Sequence, residues 1–402
     1  MFAVLLATVF AALAEQTITV EAGNYDRRDC VVEFQLPANV KPKPLLSVDG
    51  GRSIPLQIEP DGRASFIEPE LKRGTKKLYT FSDGIARIPV REVSEKGSVT
   101  LSAFGRAALV YRTEKTEFPP QRPDLKEIFH RGGYIHPVLS PSGKQITDDY
   151  PSNHKHHHGI WFAWTHTEFE GRAPDFWNMG DGKGTVEFMG LDQTWSGPVH
   201  AGFISRHRQM DLTERSDSGE RLKPKTALLE NWKVKLYAAG NDALRPYFLF
   251  DIEITDTCAH GPLKLPQYRY GGIGVRGNWA WNGKTNLNFL NSEGVTDRSK
   301  GDKNETSGRW AYMGGLVDGG PTGIAILGHP DNANAPQPQR IHPTEPFFCF
   351  APQQAGDLEI TPGKPFVLRY RFVAADGAPD KRELDRLWND YAHPPRVTVS
   401  VK

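Results

Sequence analysis

The sequence predicts a mainly β protein, built as a large antiparallel β-sandwich with a small N-terminal β-sandwich domain and a short C-terminal helix. Three observations predict this class. Short runs of β-branched or alternating residues recur from end to end, separated by Gly, Pro, Asn and Asp. The 39 glycines and 31 prolines among 402 residues supply frequent turns, yet no stretch is of low complexity. Helical periodicity is nearly absent, so the pattern favours sheets over helices.

The first fifteen residues predict a secretory signal. Residues 1–15 read MFAVLLATVFAALAE, an apolar run that ends in Ala-Leu-Ala like a cleavage site, although a basic start is missing. The run is shorter than the about 20 residues that a membrane-spanning helix needs. We therefore expect a secreted or periplasmic protein that has no integral membrane association after the signal is cleaved.

Residues 16–105 and 106–402 predict the two β domains. The first range holds runs such as DCVVEFQLP and SIPLQIEP and is expected to form the small sandwich. The second range holds WKVKLYAA, PYFLFDIEITDT and FVLRYRFVAADG and is expected to form the large one. Near its end, PDKRELDRLWNDYAHPP places Leu384, Leu387 and Trp388 on one helical face, and the two prolines end the helix.

Charge and composition exclude several functions. The 49 Lys and Arg residues nearly balance the 48 Asp and Glu residues, so the net charge of +1 gives no basic field for a nucleic acid. The three cysteines show no Cys-x-x-Cys spacing, so neither a disulfide framework nor a thiolate metal site is predicted. The glycines of YRYGGIGVRGNWAWNG lack the Gly-x-Gly-x-x-Gly order of dinucleotide-binding sites. We therefore expect no nucleotide or flavin cofactor.

The most unusual stretch is YPSNHKHHHGIWFAW, residues 150–164, which has four histidines in five positions. In a strand, His154, His156 and His158 would share one face, whereas an irregular loop could bring any three of the four together. Three converging neutral imidazoles are the ligand set of an open metal site, in which a fourth position is free for water or substrate. The same imidazoles could carry out acid and base chemistry without a metal. The pattern leaves both alternatives open.

Residues on either side of the histidines are further candidates. Tyr134 and His136 alternate onto one face of an extended segment, where a phenol and an imidazole can supply an acid and a base. Downstream, Asp175 and Trp177 place a carboxylate beside an indole. That pairing suits a sugar, because the faces of its ring are rich in C–H groups and its rim carries hydroxyls.

Two later stretches add candidates for binding a substrate. Tyr270 and Arg276 flank a Gly-Gly-x-Gly turn, from which the guanidinium could hold a carboxylate or a developing oxyanion. His329 ends a strand and Asn332 follows it in a loop rich in Pro and Asn, so both are placed to reach the mouth of a pocket. We expect Tyr270, His329 and Asn332 to contact a substrate.

Over about residues 105 to 380, the motifs GYIHPVLSPSGKQIT, YPSNHKHHHGIWFAW, DFW, GGIGVRG, GHPDN and LRYRFVAADG occur in this order. Together they resemble a secreted bacterial family that carries the label methane oxygenase PmoA. The resemblance leaves His158 as the variable member of the cluster. The residues that it picks out are Tyr134, His136, His154, His156, His157 and Asp175.

Two positions depart from the pattern of that family. Gly133 stands where the family has a proline before Tyr134, and Asn153 stands where it has an Asp before the first histidine. A carboxylate at position 153 could orient an imidazole for metal binding, so Asn153 makes a metal site less favoured by the sequence.

The resemblance implies a fold similar to the galactose-mutarotase supersandwich, which aldose epimerases and several polysaccharide lyases and hydrolases share. The label itself names a membrane enzyme whose subunits have several spanning helices, which this sequence does not provide. Because a fold does not fix a function, the resemblance implies a carbohydrate substrate by association only.

The leading hypothesis is a secreted carbohydrate-active enzyme of the hydrolase, lyase or epimerase type that acts on a glycoside or an oxidised (keto) sugar. A non-catalytic carbohydrate-binding protein is the first alternative, and a structural or interaction protein with an exposed histidine loop is the second. In the leading hypothesis a divalent metal is an optional cofactor, held by the three histidines that the resemblance picks out. The predicted catalytic residues are Tyr134, His136, His154, His156, His157 and Arg276, and the predicted substrate-binding residues are Asp175, Trp177, Tyr270, His329 and Asn332.

Overall fold

The computed structural model describes residues 16–48, 51–115, 117–302 and 306–401. The predicted signal, residues 1–15, lies outside the described residues, so export stays a prediction. Within the described ranges, no helix has the length and apolar character that crossing a membrane requires.

The chain is mainly β, as the sequence predicts. The strands, numbered along the chain, are β1 (Gln16–Glu21), β2 (Arg27–Gln35), β3 (Leu45–Ser47), β4 (Ser53–Pro55), β5 (Gln57–Ile58), β6 (Arg63–Leu71), β7 (Lys76–Ser82), β8 (Val90–Glu95), β9 (Ser98–Ala103), β10 (Arg106–Arg112), β11 (Tyr134–Val138), β12 (Ile160–Ala163), β13 (Glu168–Phe169), β14 (Gly184–Trp195), β15 (His200–Asp211), β16 (Lys225–Tyr237), β17 (Tyr247–Cys258), β18 (Leu263–Leu265), β19 (Gly272–Arg276), β20 (Asn288–Asn291), β21 (Trp310–Val317), β22 (Gly320–Gly328), β23 (Gln339–Ile341), β24 (Phe347–Phe350), β25 (Leu358–Ile360), β26 (Phe366–Asp376) and β27 (Arg396–Val401).

The helical elements are short. The described residues form α1 (Arg298–Asp302), α2 (Lys381–Ala392) and 3₁₀ turns at Glu127–Phe129, Met179–Asp181, Trp279–Trp281 and Pro352–Ala355.

Two eight-stranded antiparallel sheets form the large sandwich. The first sheet has the strand order β23-β24-β19-β12-β11-β10-β9-β8, and the second has β14-β15-β16-β17-β26-β22-β21-β20. Strand β17 shows why these sequences form buried strands. Its residues Phe248, Phe250 and Ile252 belong to the core between the two sheets, while Tyr247 and Leu249 pack on the opposite face in the cluster that includes α2. Side chains alternate along a strand, so an apolar run with period two covers both faces.

The small sandwich contains both ends of the described chain. Its sheets have the orders β27-β1-β7-β3-β4 and β2-β6-β5. The C-terminal strand pairs with the N-terminal one from Gln16 opposite Val401 to Glu21 opposite Arg396. Strands β8 and β9, which the sequence analysis assigned to the small domain, lie instead in the first sheet of the large sandwich.

The C-terminal helix forms where its periodicity predicts. Leu384, Leu387 and Trp388 are buried on its inner face, and the Asp380 carboxylate accepts the backbone N–H groups of two residues in the first turn. Such an N-cap satisfies donors that have no partner inside the helix.

One face of the first sheet points away from the sandwich core. Phe348 on β24 packs against Phe289 of the second sheet, with ring centroids 6.1 Å apart, so it faces inwards. Because side chains alternate, its neighbour Phe347 faces outwards, as does Arg276, its partner in the register between β19 and β24. Trp161 of β12 lies on the same outer face, opposite Gly274. The loops around the histidine cluster cover this face.

Candidate active site

The histidines lie on an irregular loop between β11 and β12. Backbone N–H groups of His154 and His157 donate to the carbonyl oxygens of Pro151 at 3.1 Å and His154 at 2.8 Å, which makes two consecutive turns. The alternation of a strand therefore does not apply to the cluster, and the loop alternative considered from the sequence describes it.

The imidazole rings of the cluster contact one another closely. The rings of His154 and His157 are stacked, with centroids 4.6 Å apart and 15° between their planes, and His156 meets His157 edge-on at 4.7 Å. Burial, reinforced by the neighbouring imidazoles, lowers the pKa of His156 to about 3 and the pKa of His157 well below its usual range. Both side chains are therefore neutral at physiological pH.

His157 is the buried member of the cluster. Its ring packs on Trp161 at 4.8 Å and on Phe347 at 4.6 Å, and its Nδ1 has no hydrogen-bond partner among the described residues. Lone pairs of imidazole nitrogens lie in the ring plane, so the stacked rings of His154 and His157 do not point at one position between them. The structure therefore does not assemble the predicted metal ligands His154, His156 and His157 into one coordination group.

A different group of three residues could hold a metal ion. Ligand atoms of His154, His342 and Glu345 all lie within 4.8 Å of one another. His342 and Glu345 come from the turn between β23 and β24, and neither was a candidate in the sequence analysis. Their signal, His-x-x-Glu, is too short to be recognised without the fold.

Arg276 organises this part of the site. Its guanidinium is fully buried and donates to Glu345 Oε2 at 2.7 Å, to Asn153 Oδ1 at 3.0 Å and to Asn282 Oδ1 at 3.3 Å. Burial lowers the pKa of Arg276, although Glu345 opposes the shift. Burial alone would raise the pKa of Glu345, but contacts with His154 and Arg276 lower it to about 2. Asn153, which departs from the family pattern, thus accepts a hydrogen bond from the guanidinium.

Asp148 lies beside Arg276 and was not predicted as a site residue. Its backbone N–H donates to the carbonyl oxygen of Arg276 at 3.1 Å, and Thr147 pairs with Gly277. The Oδ2 atom is buried and has no hydrogen-bond partner in the described part of the chain. Burial raises the pKa of Asp148 to about 6, against the opposing charge of Arg276. The two consecutive carboxyl groups of TDDYP, directly before the histidines, were the available signal.

Tyr134, Asp149 and His158 form a hydrogen-bonded group beneath the loop. The Tyr134 hydroxyl donates to Asp149 Oδ2 at 2.9 Å, and His158 Nδ1 lies 2.6 Å from Asp149 Oδ1. Burial would raise the pKa of Asp149, yet the His158 imidazole and the Tyr134 hydroxyl keep it lowered. Both Tyr134 and His158 are fully buried. His158, the variable member in the resemblance, is therefore the best anchored of the four histidines.

His136 lies at the edge of this group. Its Nδ1 is 3.0 Å from Thr147 Oγ1, and burial lowers its pKa. The structure thus brings both Tyr134 and His136 next to the histidine loop, while their roles as acid and base stay a prediction.

The predicted sugar-binding pair Asp175 and Trp177 is used within the protein. Asp175 accepts hydrogen bonds from the backbone N–H of Trp177 and of Asn178, at 3.0 and 2.9 Å, and from two side chains. Trp177 is only 2% exposed. The Trp177 indole packs on Trp161, so it has no free face for a sugar. A Cβ on residue 274 would lie 2.9 Å from both indoles, and Gly274 therefore permits this packing. Trp177 therefore packs inside the protein, and contact of the half-buried Asp175 with a substrate stays a prediction.

The remaining candidates are divided between two places. Tyr270 is half-buried against Trp177, with ring centroids 5.7 Å apart. His329 packs instead on Tyr391 of α2 at 5.1 Å, and Asn332 bonds through its side chain to the backbone of Arg369. His329 and Asn332 therefore do not join the histidine loop: they support the end of β22 beside the C-terminal helix, where His329 lines a separate pocket, and contact with a substrate there stays a prediction.

An exposed tryptophan lies at the rim of the site. Trp279 is 50% exposed and begins the 3₁₀ turn that follows Arg276. The backbone carbonyl oxygen of Trp279 accepts a hydrogen bond at 2.7 Å from the side-chain amide of Asn282. The Oδ1 atom of the same amide accepts a hydrogen bond from the guanidinium of Arg276. This indole offers the free aromatic face that Trp177 does not.

Gly133, the second departure from the family pattern, has a structural reason. Its φ is +77°, a value that proline cannot adopt and that other L-residues rarely adopt. A Cβ at this position would lie 2.7 Å from the ring of His207 in the sandwich core. The glycine and the buried histidine therefore fit one another.

The fold and the site define a β-sandwich protein with a cluster of imidazoles and carboxyl groups around a buried guanidinium, on the outer face of one sheet. The chain belongs to a family of unknown function, DUF6807, whose model matches residues 98–389. No curated protein matches the chain. The label methane oxygenase PmoA, implied by the motifs, stays a prediction.

Solved structures share only a distant likeness with this chain. Two come from Enterococcus faecalis: a protein in glycosyl hydrolase family 38, with 8% identity and a TM-score of 0.45, and an alpha-mannosidase, with 10% identity and a TM-score of 0.45. Both likenesses cover 98% of this chain, which spans 48% and 46% of those proteins. A heparan sulfate lyase from Pedobacter heparinus has 10% identity and a TM-score of 0.31, over 73% of this chain and 36% of its own. We therefore draw the function from the geometry of the site.

Proposed function

We propose that the protein is a carbohydrate-active enzyme that breaks a C–O bond of a glycoside or an oxidised sugar by proton transfer at this cluster. Asp148 is the proton donor, Arg276 stabilises negative charge, and Trp279 is the surface on which a sugar ring stacks. The observation that carries the proposal is the Asp148 carboxyl group, whose Oδ2 atom is buried without a hydrogen-bond partner in the described part of the chain and which lies within the electrostatic influence of Arg276.

The surroundings of Asp148 suit a general acid. The charged groups that face it are Arg276, Asp149 and Arg122. Burial favours the protonated form and raises its pKa to about 6, so that a large fraction carries a proton in weakly acidic solution. Once the proton has left, Arg276 stabilises the carboxylate that remains. A general acid works best when its pKa lies near the operating pH.

The chemical step moves one proton and one electron pair. The proton passes from Asp148 to the oxygen of the breaking C–O bond, and the electron pair of that bond stays on the oxygen, which leaves as an alcohol. In a hydrolysis, a water molecule adds to the carbon and gives its proton to an imidazole of the cluster other than His156 and His157, whose lowered pKa makes them weak bases. In a keto sugar, the C–H group next to the carbonyl loses its proton to an imidazole instead, and a C=C bond forms.

Recognition of the sugar is assigned to the rim. An exposed indole can cover the C–H-rich face of a sugar ring, while amide groups bind its hydroxyls. Trp279 supplies the indole, and Asn153 and Asn282 supply amide groups that already meet at Arg276. In this proposal, a bound ring lies between the indole and the buried charge.

A substrate panel in ¹⁸O-labelled water tests the proposal. The wild type, D148N and the control H329A would be incubated with neutral glycosides, uronic-acid glycosides and keto-sugar glycosides, and the products followed by mass spectrometry. We expect the wild type and H329A to turn over at least one class, and D148N to be slower by about 100-fold or more. An ¹⁸O atom in the product identifies hydrolysis, and an unlabelled unsaturated sugar identifies elimination.

Two outcomes would contradict the proposed enzyme. Saturable sugar binding without any product, equal in wild type and D148N, would make the protein a carbohydrate-binding protein. Neither product nor binding for any class would leave the cluster without a carbohydrate function.

A further inference from the structure

We propose that His154, His342 and Glu345 bind one divalent cation of borderline softness, such as Zn²⁺, at the rim of the cluster. The inference deepens the proposed function, on which it rests only in placing the ion beside the same sugar. It differs from the ligand set that the sequence resemblance implies, because His156 and His157 have no part in it.

The donor set suits such an ion. Two imidazoles and one carboxylate, with ligand atoms within 4.8 Å of one another, come from two loops that the fold brings together. Sites with three protein ligands of this kind leave positions open for water or substrate. The side chains of His154, Glu345 and His342 are 31%, 14% and 21% exposed, so an ion there would be reachable from solvent.

The contact between His154 and Glu345 brings two ligand atoms of the group together. Nδ1 of His154 lies 2.7 Å from Glu345 Oε2, yet it is buried and has no aligned hydrogen bond within the described ranges. Two ligand atoms at about 2.1 Å from a tetrahedral ion lie about 3.4 Å apart, so the two side chains must separate by about 0.7 Å when an ion binds. A buried polar atom without a partner calls for an explanation, and an ion supplies one.

The surroundings of Glu345 resemble the outer layer of a metal site. Arg276 donates to Glu345 Oε2 at 2.7 Å and thereby fixes the carboxylate towards His154. Ligating carboxylates are commonly held by such hydrogen bonds. The supporting group that Asn153 does not supply in this sequence is thus found on β19.

His342 must give up existing interactions before it can bind an ion. Its Nδ1 accepts the backbone N–H of Glu345 at 3.0 Å and of Thr344 at 3.3 Å, and its Nε2 lies 3.8 Å from Glu345 Oε1. Because Nδ1 accepts, Nε2 carries the ring proton and must lose it before it can bind an ion. We therefore expect His342 to contribute less to affinity than His154 or Glu345.

Zn²⁺ alone is the probe for this site. Untagged, metal-stripped full-length protein would be titrated with Zn²⁺ by calorimetry, the bound metal counted by elemental analysis, and folding checked by thermal denaturation. The ligand variants are H154A, H342A and E345Q; H156A separates the two ligand sets; and H329A with D331N is a matched control, since His329 and Asp331 form a similar pair at 3.6 Å elsewhere.

The proposal expects one ion per chain, with affinity reduced at least about 10-fold in H154A and E345Q and less in H342A. The affinities of H156A, H329A and D331N should stay within about twofold of the wild type. Absence of stoichiometric Zn²⁺ from the wild type would overturn the proposal, as would a loss in H156A that exceeds the loss in E345Q. Turnover of a sugar by metal-free protein would remove the ion's part in the reaction and leave the proposed function standing.

Discussion

The backbone N–H of Asp148 donates to the carbonyl oxygen of Arg276 at 3.1 Å, which ties the histidine loop to strand β19. The neighbouring pair Thr147 and Gly277 extends this link. The main chain thus fixes Asp148 next to Arg276 in the fold, and the charge of Arg276 acts on the Asp148 carboxyl group although their side chains form no ion pair within the described ranges. In the proposed function, the Oδ2 atom of Asp148 carries the proton that is donated to the substrate.

Removal of the Arg276 guanidinium should cost far more than removal of an exposed one. R276A leaves Glu345, which is 14% exposed, without its charged partner, and we expect the free energy of unfolding to fall by about 3–5 kcal/mol. The control R206A breaks an ion pair with Asp192 whose side chains are half exposed, and it should cost less than about 1 kcal/mol. Urea denaturation of both variants measures the two losses of unfolding free energy. Similar losses in R276A and R206A would contradict the stabilising role of the buried Arg276 guanidinium.

The stability of the protein should depend on pH through Asp148. Burial raises its pKa to about 6, so the folded protein holds this proton more tightly than the unfolded chain does. The stabilisation is therefore complete below about pH 4 and is lost as the pH rises through about 6. We expect the free energy of unfolding of the wild type, minus that of D148N, to fall by about 1–3 kcal/mol from pH 4 to pH 7. A constant difference over this range would show that the carboxyl group is not buried.

Two tryptophans should respond in opposite ways to replacement by alanine. W177A removes a buried indole and should destabilise the protein by about 3–5 kcal/mol. W279A removes an exposed one and should change stability by no more than about 0.5 kcal/mol, while it weakens binding of whichever sugar the panel identifies. Thermal denaturation and calorimetry of both variants give the two readouts. Unchanged sugar affinity in W279A would rule out its stacking role.

Gly133 and His207 should be energetically coupled. G133A places a Cβ against the His207 ring and also forces an alanine to φ +77°, so we expect a loss of about 2–4 kcal/mol. In an H207A background the clash is gone, and the same substitution should cost only the about 1–2 kcal/mol of the left-handed backbone. A double-mutant cycle in urea measures this coupling, and equal costs in the two backgrounds would contradict the contact.

The sequence predicts those features that depend on local periodicity. Alternating runs such as β17 and the apolar face of α2 each need only neighbouring residues, so the mainly β class and the C-terminal helix are confirmed. The pairing of β27 with β1 joins strands from the two ends of the described chain, and no local sequence pattern predicts which distant strand a strand will pair with.

The candidate site is predicted only in part, because roles depend on burial and on distant partners. Arg276 lies at the centre of the site, but its partner Glu345 follows far along the chain and has no motif of its own. Trp177 looks like a sugar platform in the sequence, yet the packing of Trp161 and Gly274 buries it. Asp148 shows its chemistry only once the fold places it beside a guanidinium.

The most direct test of the proton donor is the ionisation of Asp148 itself. ¹³C NMR of protein labelled at the aspartate carboxyl groups, assigned with D148N, would follow this group from pH 3 to pH 8. We expect a pKa of about 6 for Asp148, moved upwards in R276A because a stabilising positive charge is gone. An ordinary carboxyl pKa near about 4 that does not respond to R276A would contradict this expectation.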